Sequence, residues 1–160
     1  MAEDRSADEH ALSLQRVLEL IPPFVQQWER DARTIRWPEA LAGGLLDVRA
    51  LRQVARDPGL TAGELARELW LSGSAVTAVL NRLERAGLIV RGREPRDRRV
   101  VRLALTDLGR VALERAEATR IEHMTRRFAA LSSADLDRLA AILQRMIRAW
   151  DGGAAAGGGR

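Results

Sequence analysis

The sequence predicts a mostly α-helical chain of 160 residues with one small β-hairpin, an α+β fold. Three observations predict it. Two short amphipathic helices follow each other across a tight turn within residues 60–86, two β-branched segments around an arginine-rich tip come directly after them, and helical patterns flank this centre on both sides. Two helices joined by a tight turn and followed by such a hairpin form a winged helix-turn-helix.

The N-terminal part is expected to contain a flexible stretch over residues 1–9 and helices over residues 10–42. Apolar residues recur there at three- and four-residue spacing, at Leu14, Val17, Leu18, Ile21, Phe24, Val25, Trp28, Ala32 and Ile35. Proline removes a backbone hydrogen bond and clashes one turn back, so Pro22-Pro23 predicts either a sharp kink or two consecutive helices.

The central domain is expected over residues 43–105 and begins with a helix over residues 44–56. The residues predicted to point inward from this helix are Leu45, Val48, Leu51 and Ala55. The next helix opens at Thr61, which can cap it while Glu64 reaches back to close a capping box. This helix is expected to end near Trp70.

A turn over residues 71–74 leads into a second helix, which is predicted over residues 75–86. Its inward face carries Val76, Val79, Leu80 and Leu83. Gly87 ends it, because glycine readily adopts the left-handed conformation of a helix C-terminus. Residues 88–90 and 100–105 are the two predicted strands of the hairpin, which we call the wing (residues 88–105).

The C-terminal part, residues 106–150, predicts two amphipathic helices, the first capped by Thr106 and the second opened by a capping box of Ser132 and Asp135. Residues 151–160 are rich in glycine and alanine and are predicted to be a disordered tail. More than half of the chain lies outside the winged helix. Its apolar stripes need a surface, which favours a homodimer; a monomer with these helices folded onto its own core is the alternative.

Charge indicates a nucleic-acid partner. Six arginines and two carboxylates lie between Arg91 and Arg102, a local net charge of +4, and the whole chain also has a formal net charge of +4. A positive field concentrated on one hairpin beside a helix with a polar N-terminus is typical of a protein that binds double-stranded DNA. The alternative is a charged loop that is merely solvated.

An ordered set of short motifs runs from the second helix to the end of the wing: Leu83-Glu84, Gly87-Leu88-Ile89, Arg91, Pro95, Asp97-Arg98-Arg99 and Leu105-Thr106-Asp107-Leu108-Gly109. With this order and spacing, the chain resembles the MarR-type family of bacterial transcription regulators. The resemblance implies that the N- and C-terminal helices interleave to form a dimer. Two recognition helices would then lie about one DNA turn apart and bind a pseudopalindromic site.

The second helix is expected to enter the major groove with its N-terminal half. The candidate DNA-binding residues on this helix are Ser72, Ser74, Thr77, Asn81 and Arg82. Ser72 or Ser74 can instead cap the helix, which does not exclude a base contact. Asn81 can reach an adenine edge, a phosphate or only solvent, and Arg82 is expected to contact a phosphate or to form an internal ion pair.

The wing is the second predicted contact, because arginines at a hairpin tip can enter a narrow minor groove. The candidate residues are Arg91, Arg93, Arg96, Arg98 and Arg99. By the family resemblance, Asp97 pairs with a nearby arginine, Arg99 being the expected one, and fixes the shape of the hairpin.

The resemblance also implies a small anionic or aromatic effector, bound in a cleft between the dimer helices and the winged helix, that lowers DNA affinity. The side chains that can line such a cleft are Trp28, Trp37, Trp70 and Trp150, with Arg33, Arg36 and Arg49 as candidate cations. Tryptophan at helical spacing can equally belong to the core. Trp28, Trp37, Arg36 and Arg49 are the candidates that we retain.

Composition restricts the remaining functions. The absence of cysteine excludes disulfides and thiolate metal sites, no apolar run approaches ~20 residues, and no signal peptide is apparent, so a soluble, cytoplasmic protein is expected. His10 and His123 stand alone, and the sequence contains no glycine-rich phosphate loop, nucleophile elbow or metal-ligand cluster, so we expect no metal, cofactor or enzymatic activity. The sequence thus predicts a homodimeric DNA-binding regulator, most simply a repressor. A protein-interaction module and a nonspecific architectural DNA binder are the alternatives.

Overall fold

The computed structural model describes residues 2–93 and 100–157. Its elements are α1 (Ala2–Ala32), α2 (Leu45–Arg56), α3 (Ala62–Leu69), α4 (Gly73–Arg85), β1 (Ile89–Arg93), β2 (Val101–Leu105), α5 (Asp107–Arg127) and α6 (Ser133–Gly157). The predicted fold class is therefore confirmed: a helix-turn-helix of α3 and α4 is followed by a two-stranded hairpin, and long helices flank it. The chain divides into two units, Met1–Arg120 and Ile121–Arg160.

Helix α1 differs from the expectation at both of its predicted breaks. It is one helix that contains Pro22 and Pro23, so the alternative of two consecutive helices is wrong. It also begins at Ala2, within the stretch that the sequence predicted to be flexible. None of the helices in the described parts of the chain is both long enough and apolar enough to cross a membrane.

The core of the first unit lies between α2, α3, α4 and the wing. Its largest fully buried apolar side chains are Leu41, Val48, Leu51, Val54, Leu65, Leu80, Leu83, Leu88, Ile89 and Leu103. Helix α4 buries the four residues that the sequence predicted. In α2, however, Leu45 and Ala55 are exposed, and Ala50 and Val54 are buried in their place. The buried stripe is thus rotated from the predicted one, and it includes Asp47.

Several predicted helix ends agree with the structure where capping chemistry specified them, but α4 begins at Gly73 and not at residue 75, because Ser72 is its N-cap. Thr61 and Glu64 form the capping box of α3, with the Glu64 carboxylate 2.8 Å from the Thr61 backbone nitrogen. Gly87 has a φ of +69° after α4. Thr106 caps α5, since its hydroxyl accepts a hydrogen bond of 2.9 Å from the Gly109 N–H.

The wing is an antiparallel pair in which Ile89 lies opposite Leu105 and Arg93 opposite Val101. Strand β2 is also tied to the segment before α3, because the Leu103 N–H donates to the Leu60 carbonyl at 2.9 Å. Helix α5 begins directly after β2. A side chain at Gly109 would collide with the Leu88 backbone, so glycine permits this close approach.

In the second unit, the predicted capping box opens α6: the Ser132 hydroxyl donates to the Asp135 carboxylate at 2.6 Å and accepts from the Asp135 N–H at 3.2 Å. Helix α6 runs to Gly157, past the expected end at Trp150, and includes part of the tail that the sequence predicted to be disordered. The consecutive alanines at positions 154–156 have a high helix propensity, which is compatible with this extension.

Candidate nucleic-acid interface

The N-terminus of α4 presents hydroxyl groups to solvent. Ser72 is the N-cap residue: its hydroxyl oxygen lies 3.2 Å from the Ala75 backbone nitrogen and 3.1 Å from the Ser74 hydroxyl oxygen. Both serines are exposed. Ser72 therefore has the capping role that the sequence allowed, and both hydroxyls remain accessible beside the positive end of the helix dipole, where a phosphate or a base acceptor is favoured.

Thr77 lies on the same exposed side of α4. Its hydroxyl donates a hydrogen bond of 2.7 Å to the Gly73 carbonyl, four residues earlier. With its proton already used, the hydroxyl is left with acceptor capacity, and the side-chain methyl group remains free for apolar contact. Cytosine N4 donors and thymine methyl groups are the major-groove features that match this chemistry.

Asn81 links α4 to the wing. Its amide oxygen accepts a hydrogen bond of 2.6 Å from an Arg91 guanidinium nitrogen, and Nε of the same guanidinium lies 3.3 Å from Glu84. Asn81 and Arg91 were both predicted to contact DNA, and the structure brings them together. The groups that these two contacts do not use, and that can therefore contact DNA, are the amide NH2 of Asn81 and the other guanidinium N–H groups of Arg91.

Arg82 points into the protein, so of its two predicted roles the structure has the internal ion pair. Its guanidinium makes bidentate hydrogen bonds to Asp47 of α2, with nitrogen–oxygen distances of 2.5 Å and 3.0 Å. Asp47 has no exposed surface, and it also accepts a hydrogen bond of 2.7 Å from the Gly43 N–H. These hydrogen bonds, which Arg82 donates to the Asp47 carboxylate, raise the pKa of Arg82 and hold α4 against α2.

Part of the wing is described. Arg91 and Arg93 lie on β1, and Arg93 is exposed. Arg102 of β2, which was not a candidate contact, donates a hydrogen bond of 2.8 Å to the Gly59 carbonyl. The predicted wing-tip residues Arg96, Arg98 and Arg99, and Asp97 with its predicted structural role, lie outside the described residues.

A cleft of about 500 Å³ lies between the end of α1 and the start of α2. It is lined by Trp28, Glu29, Ala32, Arg33, Trp37, Ala42, Gly43, Gly44 and Leu45. The structure thus brings two of the predicted effector residues, Trp28 and Trp37, to one cleft, together with Arg33. Arg36 and Arg49 are not among its lining residues.

Sequence reasoning missed two residues near this interface. Asp47 lies within the buried stripe of α2, and only its tertiary contact with Arg82 identifies its role; no sequence signal singled it out. Trp70 was considered only for the core or the cleft, but it is the C-cap residue of α3 and is 91% exposed. The feature of the sequence that could have identified Trp70 is its position at the turn of the helix-turn-helix.

Comparison with known proteins agrees with this geometry. A family model described as the MarR family matches residues 44–100. The chain is 37% identical over 124 residues to a putative transcriptional regulatory protein for the hcr operon from Thauera aromatica, covering 78% of this chain and 74% of that one. It is 29% identical over 147 residues to the HTH-type transcriptional repressor MdtR of Bacillus subtilis, covering 91% and 88%. Among solved structures, the transcriptional repressor CouR bound to a 23-mer DNA duplex is similar with a TM-score of 0.65 at 28% identity, covering 82% of this chain and 94% of that one.

Proposed function

This chain belongs to the MarR family of DNA-binding transcription regulators, and from that premise we propose that it is a homodimeric repressor that binds a pseudopalindromic operator and is released by a small aromatic anion. The observation that carries the DNA-binding part is one surface. On it, the exposed hydroxyls at the N-terminus of α4 lie at one end of a helix whose other end is linked by Asn81 to Arg91 of β1. Such a surface offers donors to base edges and positive charge to phosphates.

The dimer is supported by apolar faces that remain exposed on α1 and on α6, each considered by itself. On α1 they include Leu14, Val17, Leu18, Ile21, Phe24 and Val25, and on α6 Leu136, Leu139, Ile142, Leu143, Ile147 and Trp150. Stripes this long on two helices exceed the scattered apolar residues of an ordinary monomer surface and mark a protein contact. A second copy of the chain satisfies them by two-fold symmetry.

Repression is supported by two relatives, MdtR and CouR, that carry the description of transcriptional repressors. Occupying an operator with two winged helices blocks access to the DNA beneath them without any further catalytic or contact surface. Repression therefore requires no functional surface other than the DNA interface described above.

The cleft beside α1 supports an aromatic anion as effector, because two indoles provide apolar faces and Arg33 provides a cation. The cleft is also connected to the recognition helix. Gly43 lines it, the Gly43 N–H holds Asp47, and Asp47 holds Arg82 of α4. A side chain at Gly43 would collide with both members of this pair. A ligand that displaces Gly43 would therefore shift α4 and lower DNA affinity.

Binding to DNA is tested by fluorescence anisotropy at two salt concentrations. The comparison is between duplex from the region upstream of the coding sequence and a scrambled duplex of equal length. We expect tight binding to the first, two chains per duplex, and an affinity that falls steeply with salt because phosphate contacts release counterions. Equal affinity for both duplexes would indicate an architectural binder, and no binding at either salt would indicate a protein-interaction module.

The effector is tested with benzoate as the simplest aromatic carboxylate. We expect benzoate to change tryptophan fluorescence and to release the protein from DNA, and we expect both effects to be lost when Arg33 and Trp37 are replaced by alanine. In Asp47→Asn, benzoate should still bind but should release DNA less effectively, because the connection to α4 is weakened. Benzoate binding without any effect on DNA affinity would contradict the proposed coupling.

A further inference from the structure

We propose that Trp70 is a DNA-contacting residue that packs its indole against the sugar–phosphate backbone at the edge of each half-site. This inference rests on the proposed docking of α4 in the major groove. It concerns a residue that belongs neither to the recognition helix nor to the wing, and it assigns a function to the most exposed large apolar side chain among the described residues.

The backbone at Trp70 is in an unfavourable conformation for a side chain. Its φ and ψ of 56° and 43° are left-handed, and it is the only residue other than glycine with a positive φ in the parts of the chain that the structure describes. Bulky residues rarely adopt this conformation, which glycine occupies without steric cost. Left-handed backbone at a bulky residue is a feature often found where a side chain is needed for function.

The packing of the protein does not account for this residue. Trp70 is 91% exposed, whereas Leu69 before it is buried and Leu71 after it packs against the core. The two leucines therefore fix the turn between α3 and α4, and the left-handed residue between them directs its indole away from the core. A tryptophan that only stabilised the fold would bury its ring, because burial of apolar area is its main contribution to stability.

The position of the turn indicates what the indole meets. Trp70 is two residues before Ser72, the N-cap of α4. When a recognition helix enters the major groove with its N-terminus, the preceding helix crosses the DNA backbone, so the turn that joins them lies beside the backbone at the groove edge. In this position a protein side chain meets phosphate oxygens and deoxyribose rather than base edges.

The chemistry of the indole fits that environment. Its Nε1–H is a donor only, which suits a phosphate oxygen, and its ring offers apolar area to a sugar. Such a contact positions the protein on the duplex without reading sequence. Because the indole carries no charge, it releases no counterion, so its loss should lower affinity without changing the salt dependence. Loss of an arginine that contacts a phosphate would change both the affinity and its salt dependence.

The decisive experiment compares Trp70→Gly, Trp70→Ala and Trp70→Phe with the parent in anisotropy titrations on operator and scrambled duplex. We expect Trp70→Ala and Trp70→Gly to weaken binding about ten-fold or more on both duplexes with an unchanged salt slope, and Trp70→Phe to lie between them and the parent. Glycine relieves the left-handed backbone, so Trp70→Gly should unfold at the same denaturant concentration as the parent or a higher one. Weaker DNA binding at equal or greater stability cannot be explained by a damaged fold.

A second readout tests the contact directly. Bound duplex should protect tryptophan from quenching by acrylamide in the parent, and this protection should be reduced in Trp70→Phe, which removes one of the four tryptophans and keeps an aromatic ring at the turn. Unchanged affinity together with unchanged protection in Trp70→Phe would overturn the proposal and point to a protein partner at this turn. A parent that binds neither duplex would instead refute the proposed function.

Discussion

The arginines around the recognition helix have different roles although they look alike in sequence. Arg82 is bound to buried Asp47, Arg91 is shared between Asn81 and Glu84, and Arg102 is tied to the Gly59 carbonyl. Arg93 lies exposed on β1. Substitutions at these four positions should therefore affect one of three properties: the stability of the protein, the orientation of the wing or the attraction to phosphate.

Asp47→Asn is expected to destabilise the protein by about 2–3 kcal/mol, because it leaves the Arg82 guanidinium without its carboxylate partner in a partly buried site. Urea unfolding monitored by circular dichroism measures this loss. The double variant Asp47→Asn/Arg82→Met is the control and should be less destabilised than the sum of the single variants. Strictly additive losses would show that the two side chains do not stabilise each other.

Arg93→Ala is expected to reduce the salt slope of DNA binding by about one unit for each phosphate contact that is lost, with little effect on stability. Anisotropy titrations over a series of salt concentrations measure the slope. Arg126→Ala removes the same charge from the exposed surface of α5, far along the chain from the wing, and serves as the control. Equal slopes for the parent and Arg93→Ala would remove Arg93 from the interface.

At the scale of elements, helix ends were predicted where a side chain caps them locally. Thr61 with Glu64 and Ser132 with Asp135 form complete capping boxes, and in each the hydrogen bonds from the hydroxyl residue lower the pKa of the carboxylate. Such caps involve residues three apart, so they are readable in sequence. The pairing of α2 with α4 and with α5 involves residues 35 and 65 positions apart and leaves no comparable local signature.

The contact between α2 and α5 should depend on pH. Burial alone would raise the pKa of Glu117, but hydrogen bonds from Arg52 and Arg120 outweigh it and lower that pKa below its ordinary value of 4.5. The folded state therefore binds its proton less readily than the unfolded state. The stabilisation is fully present above the unfolded pKa and is lost as the pH falls through the folded one.

Glu117→Gln is accordingly expected to cost at most about 1 kcal/mol at pH 7, since these side chains are partly exposed, and progressively less towards pH 3. Chemical denaturation at several pH values measures the difference between parent and variant. Glu122→Gln, whose exposed carboxylate lies 3.9 Å from an Arg126 nitrogen, is the matched control. A difference that does not shrink in acid would refute the contribution of the ionised carboxylate.

At the scale of the whole molecule, the exposed apolar faces of α1 and of α6 are the features least compatible with a stable monomer. Ile147→Arg is expected to prevent formation of the proposed dimer, because it places a charge in the apolar stripe of α6. Analytical ultracentrifugation should then show monomers. DNA affinity should fall about 100-fold or more, since two linked winged helices bind far more tightly than one.

Gln144→Arg adds the same charge at an exposed polar position of α6 and should remain dimeric with nearly unchanged affinity. If Ile147→Arg stayed dimeric, α6 would not supply the interface. If it became monomeric but bound operator as tightly as the parent, the two-fold arrangement on DNA would be wrong.

The sequence by itself determined the helix-turn-helix, its wing, most of the caps and the positive charge at the wing, because these depend on periodicity, local capping and composition within short segments. Only the tertiary structure decided that Arg82 faces Asp47 and that Asn81 holds Arg91. It alone also decided that Trp28 and Trp37 share a cleft and that the indole of Trp70 lies outside the core. Those pairings depend on how distant elements pack and rotate against one another, and a single residue's identity does not encode which side chain it will meet across the fold.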